Sequence, residues 1–170
     1  TFVMLMRIFR SVVLSVKAII LDLISIGLSF SALVVVFKFG VGTYQLQQIE
    51  AWVLILLFAI LFGLSMDYEI FIVSRMREAR DRGASNEDAI REGMQASGTV
   101  VTAAALIFIT ALTGLITGHF AGLQQLGIGL AIGVIVDATI IRGLLLPSAM
   151  MLLGRWNWWM PTQRKTPTLK

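Results

Sequence analysis

The chain has 170 residues, of which 57% are hydrophobic and 14% are charged, and its formal net charge is +4. This composition excludes an intrinsically disordered chain and disfavours an ordinary soluble domain. The positive charge does not indicate nucleic-acid binding, because the basic residues cluster just outside apolar runs, where membrane topology accounts for them. The lack of cysteine excludes disulfides and thiolate metal sites.

Four apolar runs are each long enough to cross a bilayer, whose hydrocarbon core takes about 20 helical residues. They cover residues 15–37, 51–73, 98–118 and 123–146. We therefore predict an all-α fold, a polytopic membrane helix bundle with four complete transmembrane helices. We interpret residues 1–6 as the end of a fifth helix at the N-terminus.

The loops predict the orientation of these helices. Lysine and arginine residues precede the first run, separate the second from the third and follow the fourth, whereas the other two loops hold none apart from Lys38 at an edge. The positive-inside rule then places both termini and the central loop in the cytoplasm. Trp52 is expected at the outer membrane interface, and Trp156, Trp158 and Trp159 at the inner one.

The central loop is predicted to have structure of its own. Ser85 and Asp88 resemble a capping box, which predicts a short cytoplasmic helix over about residues 86–95 along the membrane surface. We divide the whole chain into a transmembrane domain, residues 1–154, and a cytoplasmic tail, residues 155–170.

Three carboxylates lie inside the apolar runs. At about 1.5 Å per residue, Asp22 and Asp67 fall about 6–8 Å from the centres of their runs towards the cytoplasm, and Asp137 falls near the middle. An ionised carboxylate in lipid is costly, so such a residue marks a proton or ion pathway by default. The alternative is a structural hydrogen bond, which for Asp22 could come from Ser25 or Lys17.

The residues beside these acids differ in their expected roles. Tyr68 lies about 100° from Asp67 around the helix and can donate a hydrogen bond to a carboxylate or share a water with it. Glu69 lies about 200° from Asp67, so we expect it to reach the headgroups or an ion-pair partner instead. Asp137 and Arg142 are separated by about 140° around an α-helix. We expect each to satisfy a different partner, with Arg142 at the inner membrane edge.

Small and hydroxyl residues form stripes along three of the runs. The stripes are Ser15, Ala18, Ser25, Ser29 and Ala32 beside Asp22, then Thr99, Thr102, Thr110, Thr113 and Thr117, then Gly129 and Gly133 beside Asp137. Because such residues let helices approach closely in lipid, we expect the stripes to face one another.

Motifs for chemistry on a bound group are missing from the sequence. It contains no phosphate-binding Gly-Lys-Ser/Thr loop, no spacing typical of metal ligands and no nucleophilic triad. We therefore expect a protein that is not an enzyme and that uses neither a cofactor nor a metal.

The segment FGLSMDYEIF at residues 62–71, followed by SRMRE at residues 74–78, closely resembles the MmpL family of the resistance–nodulation–division superfamily. Three further stretches are similar to that family, namely residues 10–12 with 17–18, residues 127–147 and residues 153–159. The resemblance covers nearly the whole chain, and residues 1–154 would form an MMPL-type transmembrane domain.

This resemblance implies an exporter of lipids or other hydrophobic compounds, driven by the proton-motive force across the bacterial plasma membrane. Such proteins have twelve spans in two similar halves, each with a large external domain, and an Asp-Tyr pair from each half meets at the bundle centre to relay protons. Carried over to this chain, the proton relay is Asp67 and Tyr68. We add Asp22, Asp137 and Arg142 as candidate support for that relay.

The chain departs from the family in two respects. Its four spans would correspond to the last four of the family, and residues 1–9 to the end of the span before them. The first half, both external domains and the companion Asp-Tyr pair are then missing. At Asp22 the family more usually carries an uncharged residue such as Asn. We therefore expect membrane lipids, a hydrophobic or lipid substrate, and the missing N-terminal half or an oligomeric partner as partners, and no nucleic acid.

Three alternatives stand beside the exporter. The chain could be a non-transporting membrane subunit or scaffold, whose small-residue faces dock a partner. It could be an inactive truncated fragment that needs a partner half. Protein translocation of the resistance–nodulation–division type is the third alternative, which the Asp-Tyr-Glu sequence at residues 67–69 favours less.

Overall fold

The structure is a computed structural model that describes residues 6–7, 11–39 and 48–158. Its elements in chain order are α1 Val12–Phe39, α2 Ala51–Asp81, α3 Asn86–Ile116, α4 Ala121–Val136, a π-helix Asp137–Leu145, α5 Leu146–Leu153 and a 3₁₀-helix Gly154–Trp158. The described residues contain no strand, which confirms the predicted all-α fold. The expectations for most of residues 1–9, for Trp159 and for most of the tail lie outside the described residues.

Four helical stretches are long and apolar enough to cross a membrane, as predicted. They are α1, α2, α3 and the continuous stretch Ala121–Leu153, with 28, 31, 31 and 33 residues. At about 1.5 Å per residue, all four are longer than the hydrocarbon core of about 30 Å. Each stretch therefore has residues to spare at one end or both.

The turn between α2 and α3 joins them into an antiparallel hairpin. Gly83 has a φ of 95°, a left-handed conformation that glycine adopts without a steric penalty. The Ser85 hydroxyl then caps α3 by accepting a hydrogen bond from the backbone N–H of Asp88 at 3.1 Å. The predicted capping interaction is therefore present in the structure.

Beyond the cap, α3 continues to Ile116 without a break. Residues 86–95 are helical, but they are the first turns of this long helix and not a separate helix along the surface. The physical reason is close packing on α2, because a Cβ atom at Gly93 would lie 2.3 Å from Cγ of Met76. This contact holds the beginning of α3 against the end of α2.

The core consists of two apolar layers with a polar layer between them. One apolar layer includes Leu14, Leu21, Ile72, Met76, Ile141 and Met150. The other includes Leu33, Phe37, Val53, Leu57, Leu126 and Leu130. Close to where the chain passes from one layer to the other, on α1, on α2 and in the π-helix, lie the buried polar residues Asp22, Ser65, Glu69, Asp137 and Arg142. The helices therefore present polar side chains to one another at one shared depth.

The small-residue stripes of α1 and α4 meet, as predicted. The Ser29 hydroxyl donates a hydrogen bond to the carbonyl of Gly129 at 2.7 Å. A Cβ atom at Gly133 would lie 2.5 Å from Cδ1 of Leu61 on α2, so any larger residue there would force Leu61 to shift.

The threonine stripe of α3 does not face the other stripes, so that part of the prediction is wrong. All five threonines are exposed. Thr110 and Thr117 donate hydrogen bonds to the backbone carbonyls of Leu106 and Thr113 at 2.7 Å and 3.0 Å. The hydroxyls of Thr110, Thr113 and Thr117 are thus satisfied within their own helix and do not join it to α1 or α4.

The 3₁₀-helix at the C-terminal end packs against the α2–α3 hairpin through Trp158. Its indole N–H donates to Oδ1 of Asn86 at 2.9 Å, and the guanidinium of Arg77 lies 5.6 Å from its ring centroid. Trp156, by contrast, is 59% exposed. Trp158 is therefore in part a packing residue and does not serve the membrane interface alone.

Candidate functional site: a buried polar layer

Ser65 lies at the centre of the polar layer. Its hydroxyl oxygen is within hydrogen-bond distance of Asp22 and lies 3.1 Å from Oδ1 of Asp137. Arg142 donates from Nη2 to this same hydroxyl oxygen at 2.8 Å and also to the Ser65 carbonyl. One hydroxyl on α2 thus connects a carboxylate of α1 with an ion pair of the π-helix.

The π-helix explains why Asp137 and Arg142 are paired after all. Nε of Arg142 lies 2.8 Å from Oδ2 of Asp137, and both side chains are buried. In an α-helix, residues five apart would lie about 140° apart, whereas the i→i+5 hydrogen bonds of a π-helix widen the turn and bring them to one face. The expectations of separate partners and of Arg142 at the membrane edge are therefore wrong.

Asp22 is held neither by Ser25 nor by Lys17, the two partners considered from the sequence. It is only 2% exposed and contacts the Ser65 hydroxyl of α2. The structure therefore joins Asp22 to Asp137 and Arg142, two of the residues predicted to support the site.

Glu69 faces the interior, so the prediction that it reaches the headgroups is wrong. It stands one turn after Ser65 on α2 and is 4% exposed. Within the part of the chain that the structure describes, its Oε1 atom has no hydrogen-bond partner, and neither has Nζ of Lys17, which is 8% exposed. Lys17 and Glu69 do interact electrostatically. A buried acid and a buried amine are thus left with unused hydrogen-bonding capacity.

A narrow crevice connects Glu69 to Asp22 and to Arg142. It is lined by Leu21, Asp22, Glu69, Ile141, Arg142 and Leu146, and it is too tight in this structure to hold a water molecule. Acidic and basic groups from three helical elements therefore share one dry space.

Asp67 and Tyr68, the predicted relay, stand at the edge of this layer. Asp67 is exposed, on the side of α2 that points away from Ser65 and Glu69. Tyr68 is half-buried, and the guanidinium of Arg142 lies 5.6 Å from its ring centroid. The structure thus brings Tyr68 to the buried ion pair and leaves Asp67 on the surface of the described residues.

Ser65, Glu69 and Lys17 are the members of this site that the sequence analysis did not identify. For Ser65 and Glu69 the sequence did contain a signal, namely their helical spacing with the apolar residues Leu61 and Ile72. All four residues are buried on one side of α2. Lys17 was predicted only as one of two alternative hydrogen-bond partners of Asp22. Among the described residues, no group of three or more His, Cys, Asp or Glu residues could hold a metal ion.

Comparison with known proteins extends over the whole chain. The sequence model of the MMPL family matches residues 1–169. Over 164 residues, the chain is 38% identical to the mycolic acid-containing lipids exporter MmpL11 of Mycolicibacterium smegmatis and 37% identical to the heme uptake protein MmpL11 of Mycobacterium tuberculosis. Over 165 residues, it is 39% identical to the trehalose monomycolate exporter MmpL3 of Mycobacterium tuberculosis.

These alignments cover most of this chain and little of each relative. They include 94%, 94% and 95% of the chain but only 17%, 17% and 18% of the three relatives. Two of the relatives are named for lipid export and one for heme uptake, so the relatives differ in cargo and in direction.

Proposed function

Because the chain belongs to the MMPL family, we propose that it is the C-terminal part of a membrane exporter of lipids or other hydrophobic compounds that is driven by the proton-motive force. Four helices able to span a membrane support this proposal, as do relatives named for lipid export. It is a transporter and not an enzyme, with both termini in the cytoplasm, as the distribution of basic residues indicates.

Asp67 carries the proton in this proposal, and Tyr68 orients it and relays it. The observation that carries the proposal is that Tyr68, which follows exposed Asp67 in the chain, has its ring 5.6 Å from the guanidinium of Arg142 in the buried Asp137–Arg142 pair. A relay needs one group that can accept a proton from outside the polar layer. It also needs a second group that interacts with the charges inside that layer. The relay is supported by three buried residues, Asp22, Asp137 and Arg142. Through their contacts, the charge on the relay affects how α1 packs against α2.

The exposure of Asp67 supports a further part of the proposal, namely that other parts of the protein cover it. A carboxylate in a membrane-spanning helix faces protein or a water-filled cavity, because lipid cannot solvate it. Since the chain spans less than a fifth of the length of the three relatives, the covering surface belongs to the missing N-terminal half or to an oligomeric partner.

The test uses the protein as its gene encodes it, reconstituted in proteoliposomes under an imposed pH gradient. Asp67→Asn is expected to abolish proton flux and export, because the amide cannot release a proton at any accessible pH. Trehalose monomycolate and heme serve as the two test cargoes. Asp81→Asn is the matched control, since Asp81 lies at the exposed end of α2. Export at the parent rate by well-expressed Asp67→Asn would refute the relay.

A non-transporting membrane subunit or scaffold is the second candidate, favoured by the exposed threonine stripe of α3. It predicts that the protein co-purifies with a larger membrane protein through that face. Replacing Thr102 and Thr113 with Leu should then release the partner. A protein that stays alone and monodisperse in mild detergent counts against this candidate.

A further inference from the structure

The buried layer holds more acids than bases. Asp22, Glu69 and Asp137 face Lys17 and Arg142, and all five side chains belong to residues that are between 2% and 8% exposed. They come from three helical elements, namely α1, α2 and the π-helix. If every group were ionised, one negative charge would lack a counter-charge in surroundings of low polarity, which is costly. One bound proton removes this imbalance.

The hydrogen bonds around Ser65 also require a proton on a carboxyl group. The hydroxyl has one hydrogen to donate and two lone pairs to accept with. It accepts from Arg142, and it lies within hydrogen-bond distance of carboxylate oxygens of both Asp22 and Asp137. Because it can donate to only one of them, the other contact is a hydrogen bond only if that carboxyl group carries a proton.

The contacts of Arg142 decide which carboxyl group that is. Asp137 accepts a hydrogen bond from Nε of Arg142 at 2.8 Å, which stabilises its ionised form. Asp22 has no such cation within hydrogen-bond distance among the described residues, and Nζ of Lys17 has no hydrogen-bond partner there. The proton therefore belongs to Asp22.

We propose that Asp22 is a resident proton-binding site, whose carboxyl group donates to the Ser65 hydroxyl while that hydroxyl donates to ionised Asp137. The two remaining carboxylates, Glu69 and Asp137, then balance the charges of Lys17 and Arg142. Each hydrogen bond at the Ser65 hydroxyl also has one donor and one acceptor. Glu69 lines the same crevice with an unpartnered carboxylate oxygen, so Asp22 has a second acid beside it to exchange the proton with. This site is distinct from Asp67 and Tyr68, and its occupancy can be measured without any transport.

Infrared difference spectroscopy tests the proposal, because a protonated carboxyl group has a C=O band that a carboxylate lacks. The gene-encoded protein is measured in lipid membranes at neutral pH, as the parent and as Asp22→Asn. The expected result is the loss of one carboxylic-acid band in Asp22→Asn. Asp81→Asn, which replaces an acid with a side chain 66% exposed, is expected to leave the band in place.

A second measurement needs no substitution in the site. When all aspartates of the parent are labelled with ¹³C at the side-chain carboxyl carbon, the band is expected to shift, and a band from Glu69 would not shift. Melting temperatures of both variants check that the fold is kept. A band unchanged in Asp22→Asn, or a parent band that does not respond to the label, overturns the proposal. Since neither readout involves transport, failure here leaves the Asp67 relay standing, and failure of that relay leaves this result standing.

Discussion

Two sets of ion pairs use the same chemical groups in opposite surroundings. In the polar layer, the side chains of Arg142 and Asp137 are 4% and 8% exposed, whereas near the α2–α3 turn those of Arg82 and Glu92 are 53% and 54% exposed. Exposed pairs contribute about 0–1 kcal/mol, but removing one partner from a buried pair costs about 3–5 kcal/mol. The charges at the turn are therefore replaceable, and those in the layer determine how the helices meet.

The largest effect is expected for Arg142→Met. This change leaves Asp137 buried without its cation and removes the donor to the Ser65 carbonyl, so the free energy of unfolding should fall by about 3–5 kcal/mol. Unfolding in mixed micelles of mild detergent and sodium dodecyl sulfate measures the loss. The double variant Arg142→Met with Asp137→Asn should recover much of it, because no unpaired charge is left. A single variant as stable as the parent would contradict the buried ion pair.

An intermediate effect is expected for Gly93→Ala, which tests whether packing and not charge holds the α2–α3 hairpin. The added Cβ would lie 2.9 Å from the backbone nitrogen of Met76, so the two helices must move apart, at a cost of about 1–3 kcal/mol. Gly98→Ala on the same helix is the matched control. It meets no atom within 4 Å and should gain about 0.5–1 kcal/mol from helix propensity. Equal effects of the two substitutions would show that the close contact at Gly93 is absent.

The smallest effect is expected at the exposed pair itself. Arg82→Ala and Glu92→Ala should each change the free energy of unfolding by about 0–1 kcal/mol, because water already solvates both groups. A double-mutant cycle, measured at low and at high salt, gives the coupling energy and its screening. Coupling above about 2 kcal/mol that persists in high salt would remove the contrast with the polar layer.

The helices that cross the membrane were predictable because their evidence is local. Hydropathy needs only consecutive residues, and the four stretches agree with those in the structure. The Ser85 cap was equally local, since it depends on Asp88 three residues later. The length of α3 was not predictable in this way. Residues 86–95 continue the third span because Gly93 packs on Met76, and these two residues are 17 positions apart in the sequence.

The site was predictable only as far as the helix was regular. Asp22 and Asp137 were identified because a carboxylate in an apolar run is conspicuous whatever it touches. The pairing of Arg142 with Asp137 was not predictable, because the turn of about 100° per residue holds for an α-helix and not for a π-helix. Glu69 was misplaced for another reason, since its angle from Asp67 does not say which side of α2 is buried. Glu69 lies on the buried side, one turn after Ser65, and Asp67 on the exposed side.

The π-helix also restricts which mutations the protein tolerates, because it makes insertions and deletions in this segment more disruptive than substitutions. Removing one residue from Asp137–Leu145 would let the segment relax to an α-helix, but it would turn everything downstream by about 100° and shift it by about 1.5 Å. Leu146 and Met150, which are buried at 1% and 0% exposure, would then leave the core. Substitutions in this segment can be judged one side chain at a time, whereas an insertion or deletion changes every residue after it. We therefore expect natural variants of this nine-residue segment to carry substitutions but no insertions or deletions.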